Sequence, residues 1–349
     1  MHRHFTLRVN SGLAPSGLEL LLHVFLPLST GYFLSFLFRS INAVIAPDLM
    51  RDVGVGATGL GFLTAAFFLG FASVQLPLGV SLDRFGAARV QSVLLIVAAA
   101  GAMLFAISDS PAGLMVARAL IGLGCAGGLM AAFKAIVKWY PSQGLALVNG
   151  CYLAMGGLGA IAATRPVEEA VALAGWRSVF EILALMSLAA ALVIFLMVPR
   201  GDAAASPPAL SQQIREVGRV FRDALFWRLI PISVMGMGGT LSIQGLWAGP
   251  WLQDVAGLER TAIANRLLVL SIAMTAGFLL AGWVADHLRK RGVSSLRVMA
   301  WGTVVSLLAL IAITVGIQPV GWWHWIVFGR SEEHTSELQS RQYLVCRLL

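Results

Sequence analysis

The chain runs again and again for about twenty residues with almost no ionised side chain, and each run ends in charge or in Pro and Gly. A run of roughly that length crosses the hydrocarbon core of a bilayer as an α-helix. Nine full runs can be read, at Val24–Ala46, Thr58–Leu82, Val90–Ile107, Gly113–Phe133, Leu145–Thr164, Val179–Val198, Leu229–Leu252, Ala262–Ala285 and Val298–Gly316. A tenth begins near Val320 and stops after Phe328. The weaker ten-residue alternation of an outer-membrane barrel is absent, so the expected fold class is an all-α polytopic membrane protein. Composition agrees: 58% of the 349 residues are hydrophobic and 12% charged. A soluble domain carries about 45–50% apolar and about 25% charged residues.

Cations between the runs set the orientation. With the N-terminus on the cytoplasmic side, the inner loops hold Arg3, Arg8, Arg84, Arg89, Lys134, Lys138, Arg200, Arg215, Arg219, Arg222, Arg228, Arg289, Lys290, Arg291 and Arg297. The outer loops then hold only Arg51, Arg165, Arg177, Arg260 and Arg266. That asymmetry fits the positive-inside rule, and the opposite orientation violates it as strongly. The expected place is a plasma (inner) membrane. A formal charge of +8 spread this way reports topology and gives no footprint for nucleic acid.

Between the sixth and seventh runs lies the longest loop. There Leu210, Ile214, Val217, Phe221 and Leu225 recur at helical spacing opposite Arg215, Arg219 and Arg222, a pattern for an amphipathic helix on the membrane surface. The expected organisation is residues 1–198 as a six-helix bundle, 199–228 as the loop between bundles and 229–329 as part of a second bundle.

Two loops repeat. Gly79-Val-Ser-Leu-Asp83-Arg84-Phe85-Gly86-Ala-Ala-Arg89 follows the second run, and Gly282-Trp-Val-Ala-Asp286-His-Leu-Arg289 follows the eighth. Each places Gly four residues before Asp at a helix end, 203 positions apart, a period suited to two six-helix halves. Gly79 is expected to let two helices approach closely, and Asp83 to pair with a cation or cap a helix end.

The repeat resembles the loop motif of the major facilitator superfamily, G-x-x-x-D-R-x-G-R-R, with Ala87 and Ala88 where that family places basic residues. The resemblance implies a twelve-helix transporter that works by rocking of two halves, with this loop gating the cytoplasmic side. Arg118-x-x-x-Gly122-x-Gly124 is similar to the family's fourth-helix motif, whose Arg serves proton coupling or interhelical bonding. Arg118 also lies close enough to Pro111 to snorkel outward, so both readings stand. Gly175-Trp176-Arg177 and Trp247-x-x-Pro250-Trp251-Leu252 are similar to further family segments.

Ionisable residues deep in a span are functional candidates by default. Arg39 is the foremost: it stands eight residues before Pro47, taken as the end of the first span, and so lies roughly 12 Å deep. Its context resembles the first helix of organophosphate:phosphate antiporters, which place Arg before Pro at this spacing. Those antiporters use a second Arg in helix seven, whereas Leu229–Leu252 has no cation. One guanidinium suits a monoanion better than a dianion, so a small organic anion is the expected solute. Asn42, Gln75, Asn149, Tyr152, Gln244 and Trp247 are the candidate partners in the cavity, with Tyr32 and Phe36 as further aromatic walls. Arg39 could instead bond helix carbonyls.

No mid-span carboxylate stands out as a proton carrier. Glu181 is placed to pair with Arg177 at (i, i+4), and Glu168 and Glu169 read as loop residues. P-loop, HExxH and metal-spaced Cys/His signatures are absent, so neither an enzyme nor a bound metal or cofactor is expected, coupling to protons aside. Cys125, Cys151 and Cys346 imply no disulfide framework.

The expected partners are a small-molecule solute and the lipid bilayer, and the expected state is a monomer. Other readings of the sequence are a proton-coupled drug or metabolite antiporter, a solute sensor that does not transport, and an inactive truncated product. The last follows from the C-terminus, where Arg330-Ser-Glu-Glu-His-Thr-Ser-Glu-Leu-Gln-Ser and Leu344-Val-Cys-Arg-Leu-Leu349 resemble the translation of a sequencing adapter. Residues 330–349 are therefore expected to be foreign, and the native chain to stop within a second bundle that holds about its seventh to ninth helices and the start of the tenth.

Overall fold

A computed structural model describes residues 16–141, 145–199 and 260–291, together with scattered positions between 215 and 257 and at 304 and 308. The described residues are helical, without a strand. They group into two compact units, Met1–Leu145 with Leu158–Pro207, and Ala146–Gly157 with Pro208–Leu349. The seventh, ninth and tenth runs and the C-terminal segment fall outside the described residues, apart from scattered positions.

The first span starts earlier than its apolar run. Ser16-Gly-Leu-Glu19 forms a capping box: the Ser16 amide donates to a Glu19 carboxylate oxygen at 2.8 Å, and the Glu19 amide donates to the Ser16 hydroxyl at 3.3 Å. Helix then runs through Gly17–Leu20, a π-helical turn Leu21–Phe25 and Leu26–Ser40, turns at Ile41 and resumes as Asn42–Val53. Pro47 therefore stands inside a helix and does not end the span. The break at Ile41 places Pro47 in the second turn of a new helix, and the stop comes at Gly54, whose φ of 68° is left-handed. Arg39 is thus 14 residues from Val53, roughly 21 Å by helical rise, deeper than the spacing to Pro47 implied.

Four described helices have the length and apolarity of membrane spans: Gly17–Ser40, Ala87–Ile107, Pro111–Trp139 and Arg165–Met197. Val44–Val53 and Thr58–Ser73 make a further bent pair at 119° across Gly54–Gly56. The second span comprises Ala57–Ser73 and Gln75–Phe85, joined at Val74. Gly86 makes the turn into Ala87–Ile107 with φ 80° and ψ 159°, a region open to glycine but not to residues with a Cβ. The fourth span opens on Ser110, which caps the Gly113 amide at 3.2 Å with Pro111 behind it, and is interrupted by a turn at Ala126–Gly127.

The sixth span runs Arg165–Met197 with a kink at Gly175, φ 81°. Glu168 and Glu169 accordingly lie on a helix, not in a loop, and Glu169 pairs with Arg165 at 2.9 Å. The apolar run begins beyond this polar, amphipathic turn, which is why it read as loop.

In the first unit the third span is the hub, packing most extensively on the sixth and the fourth. Its buried face is built from small residues, Ala98, Ala99, Gly101 and Ala102, so neighbouring backbones approach closely. Phe105 stacks on Phe180 with ring centroids 4.2 Å apart and meets Trp176 edge-on, while the Ser92 hydroxyl donates to the Ala191 carbonyl at 2.9 Å. The second unit holds Ala146–Gly157 of the fifth span and the helix Arg260–Lys290. There a Cβ on Gly157 would overlap the side chain of Thr275.

Candidate functional site

Two cations sit deep among the described spans, and their surroundings separate them. Arg118 is 1% exposed, and its Nη1 donates to the Phe38 carbonyl at 2.9 Å. That carbonyl belongs to the last turn of Leu26–Ser40, where a helix end leaves acceptors without intrahelical donors. The Phe67 and Phe105 rings lie 5.5 and 5.7 Å from its guanidinium carbon. The side chain therefore closes a gap in the first span and does not snorkel outward. The rest of its motif is equally divided among neighbours: a Cβ on Gly122 would overlap the Phe67 carbonyl of the second span, and one on Gly124 would overlap the Ala98 backbone of the third. Arg118 bonds the first span, while Gly122 and Gly124 pack closely on the second and the third.

Arg39 has no comparable commitment. It is half-buried and makes no hydrogen bond among the described residues; its Nε is buried without a partner, as is that of Arg118, and no described carboxylate pairs with either. Three rings surround it instead, Phe36 at 4.7 Å, Phe71 at 5.5 Å and Phe68 at 5.8 Å from the guanidinium carbon. Such rings attract a cation through their π faces but accept no strong hydrogen bonds, so the in-plane N–H donors remain for another partner. Asn42 stands one turn on. Its Nδ2 donates to the Thr64 hydroxyl at 3.4 Å, and its Oδ1 is buried without a partner.

The opposite wall comes from the second span, where Thr64, Phe68 and Phe71 recur at the spacing of one helix face; Gln75 follows across the break at Val74. Sequence reasoning singled out Gln75 alone of these. Thr64, Phe68 and Phe71 sit in an apolar run and carry no charge to draw attention, although their 4-3 spacing was readable. The predicted Arg39, Asn42 and Gln75 thus fall in one unit. Asn149 and Tyr152 belong to the other unit: Tyr152 is buried, and Asn149 is half-buried with Oδ1 lacking a partner. Gln244 and Trp247 lie outside the described residues.

The loop motif is resolved in its first copy. Asp83 Oδ1 accepts from Lys134 Nζ at 2.6 Å, tying the second span to the end of the fourth. Arg84 and Arg89 are exposed. Gly79, expected to allow close helix approach, has nothing among the described residues within 4 Å of where a Cβ would stand. The glycine that the backbone requires is Gly86, by its φ, and not Gly79, because a helical φ accepts any residue. Gly282, Asp286 and Arg289 lie on Arg260–Lys290, and their side chains fall outside the description.

Because Asp83 is more than half exposed, the pair with Lys134 is expected to contribute little. A double-mutant cycle of Asp83→Asn and Lys134→Met, read by thermal unfolding in detergent, should give a coupling of about 0.2–1 kcal/mol.

At the other end of the unit Trp176 Nε1 donates to Asp52 Oδ2 at 2.9 Å, and Arg51 pairs with Asp48 and Asp52, each at 2.9 Å. Arg177 stacks on Trp176 and pairs with Asp109, not with Glu181. The predicted (i, i+4) pair gives way to a cross-helix one with Asp109, in the loop between the third and fourth spans. Among the described residues no group of three or more His, Cys, Asp or Glu is placed to hold a metal ion.

The sequence model described as Major Facilitator Superfamily matches residues 28–330 of this chain. The chain belongs to that superfamily. As a Major Facilitator Superfamily member it is classed with transporters and not with enzymes. Among solved structures it resembles a bacterial homologue of the human lysosomal transporter Spinster, in an inward-facing, unoccupied conformation. The TM-score is 0.63 at 20% identity, covering 95% of this chain and 76% of that one. Among curated proteins it is 24% identical over 274 residues to a probable sulfoacetate transporter of Cupriavidus necator, covering 74% of this chain and 64% of that protein. It is 25% identical over 214 residues to the hexuronate transporter of Escherichia coli (strain K12), covering 56% of this chain and 49% of that protein. The matched part of the chain thus spans less than two thirds of the length of either relative.

Proposed function

We propose that the protein is a secondary transporter of small organic anions and that Arg39 holds the anion. The observation that carries this reading is the contrast between its two deep cations. Both lack a counter-ion among the described residues and both leave Nε without a partner, but Arg118 spends Nη1 on the Phe38 carbonyl, whereas Arg39 faces three phenylalanines and makes no hydrogen bond among the described residues. An uncompensated cation in a membrane span is costly, and an arriving anion offsets that cost. Relatives named for sulfoacetate and hexuronate transport support the solute class. A single guanidinium balances one negative charge, so a monoanion is favoured over a dianion.

In this reading the N-terminus is cytoplasmic, the Asp83–Lys134 pair lies at the inner surface, and transport proceeds by alternating access of two helical halves. Isothermal titration of the purified protein in detergent tests the solute class, with glucuronate as monoanion, sulfoacetate as dianion, glycerol as neutral solute and ethanolamine as cation. The expected order is glucuronate, then sulfoacetate, with no heat from the other two. Binding of ethanolamine or glycerol without glucuronate would overturn the proposal.

A further inference from the structure

Asn42 carries an acceptor that the fold aims but does not use. Thr64 is the key to its orientation. The Thr64 hydroxyl has one proton, and it donates that proton to the Leu60 carbonyl one turn back, at 3.1 Å. Toward Asn42 it has only lone pairs to offer. With that proton on Leu60, Asn42 turns its amide nitrogen to Thr64, at 3.4 Å, and Oδ1 lies on the far side, buried and without a partner. Asn42 follows Arg39 by three residues, with Ile41 between them at φ −60° and ψ −27°, so the two side chains share a helix face. One wall thus presents a cationic donor with an unused N–H and, a turn away, a neutral acceptor with an unused oxygen.

A bare carboxylate satisfies the first and leaves the second orphaned. A solute with a hydroxyl one or two bonds from its carboxylate satisfies both. An ammonium in the same place would donate as well, but it would bring a second positive charge beside Arg39. We propose that Asn42 reads a hydroxyl group next to the anionic group of the solute, so that the accepted class is hydroxylated monocarboxylates. This rests on the reading of Arg39 as the partner of the anion, and it makes Asn42 a specificity-determining residue and Thr64 its positioning residue.

Three acids of matched size and charge test it, namely propionate, lactate and glycerate, with alanine as the ammonium analogue of lactate. Binding is measured by titration calorimetry on the purified full chain, and the unfolding temperature of each variant checks its fold. The wild type is expected to bind lactate and glycerate about tenfold more tightly than propionate, the size of one buried hydrogen bond gained or left unmade, and not to bind alanine. In Asn42→Leu the lactate-to-propionate ratio is expected to fall to about one. Thr64→Val keeps the volume but frees the amide to rotate, and is expected to lower the ratio several-fold, so it reads the same claim should Asn42→Leu fail to fold.

Equal wild-type affinity for lactate and propionate, or a preference that survives intact in Asn42→Leu or Thr64→Val, would overturn the role of Asn42 and leave Arg39 as the partner of the anion. Binding of alanine as tight as lactate would replace the hydroxyl by an ammonium and overturn the stated class. A wild type that binds none of the three acids would overturn the reading of Arg39, and this inference with it.

Discussion

Gly122→Leu is expected to prevent accumulation of folded protein, while Gly79→Ala, a change in a glycine of the sequence motif itself, is expected to leave it intact. At Gly122 a Cβ would overlap the Phe67 carbonyl, and across the same crossing a Cβ on Gly70 would overlap the Ala119 carbonyl. Both obstacles are backbone, which cannot rotate aside as a side chain can, so the second and fourth spans must separate. Overpacking of this kind costs about 1–3 kcal/mol where side chains can adjust, and more where they cannot. The contact also forms part of the packing that brings Phe67 against the Arg118 guanidinium, so separation would loosen the clasp on the first span.

Gly70→Leu should fail in the same way, and the double variant should be little worse than either single one, because both force the same crossing apart. At Gly79 the described residues leave the space open, and Ala there gains about 1 kcal/mol of helix propensity. Fluorescence-detected size-exclusion of fusions to a fluorescent protein, run after a heat step, reads all four variants.

Arg39→Gln is expected to lower affinity for a monocarboxylate about a hundredfold without lowering the unfolding temperature. A charge-assisted bidentate contact contributes roughly 1.5–3 kcal/mol, which at about 1.4 kcal/mol per decade is roughly ten- to a hundredfold, and the lost Coulombic attraction places the effect at the upper end. Stability should hold or rise, since the substitution removes a cation that has no counter-ion among the described residues. Arg39→Lys keeps the charge but not the planar fork, and should fall between the two, about tenfold down. Arg118→Gln should behave in the opposite sense and lower the unfolding temperature, because it leaves the Phe38 carbonyl without its donor in a buried site. The two arginines look alike as lone cations in apolar runs. Their environments make one a ligand group and the other a structural clasp.

Among the described residues the helical spans were legible because length and apolarity alone decide what can cross a bilayer, and the repeat at Asp83 and Asp286 carried the family. The interruptions within spans were not. Ile41 breaks a helix with no Pro or Gly beside it, whereas Pro77, which cannot donate to the Ser73 carbonyl, and Gly127-Gly128 mark the breaks at Val74 and Ala126–Gly127 within runs whose apolarity is continuous; Pro47, the more prominent signal, stands inside a helix. Burial of Arg118 could not be separated from snorkelling by depth, since what decides it is an acceptor, the Phe38 carbonyl, that becomes free only because the first span breaks nearby.

Arg39 and Asn42 were visible as rare polar groups in apolar sequence. Their facing row of Thr64, Phe68 and Phe71 was hidden in a run where such residues ordinarily face lipid or core. Glycine was legible as a residue type but not by role. Gly86 is held by φ, Gly122 and Gly124 by close backbone contacts, and Gly79 by neither among the described residues.

Counterflow in proteoliposomes addresses the central claim most directly. Vesicles holding wild-type protein and loaded with unlabelled glucuronate should transiently accumulate radiolabelled glucuronate, Arg39→Lys vesicles should do so more weakly, and Arg39→Gln vesicles should not exceed protein-free controls. Equal uptake by wild type and Arg39→Gln would contradict the assignment of the anion to Arg39.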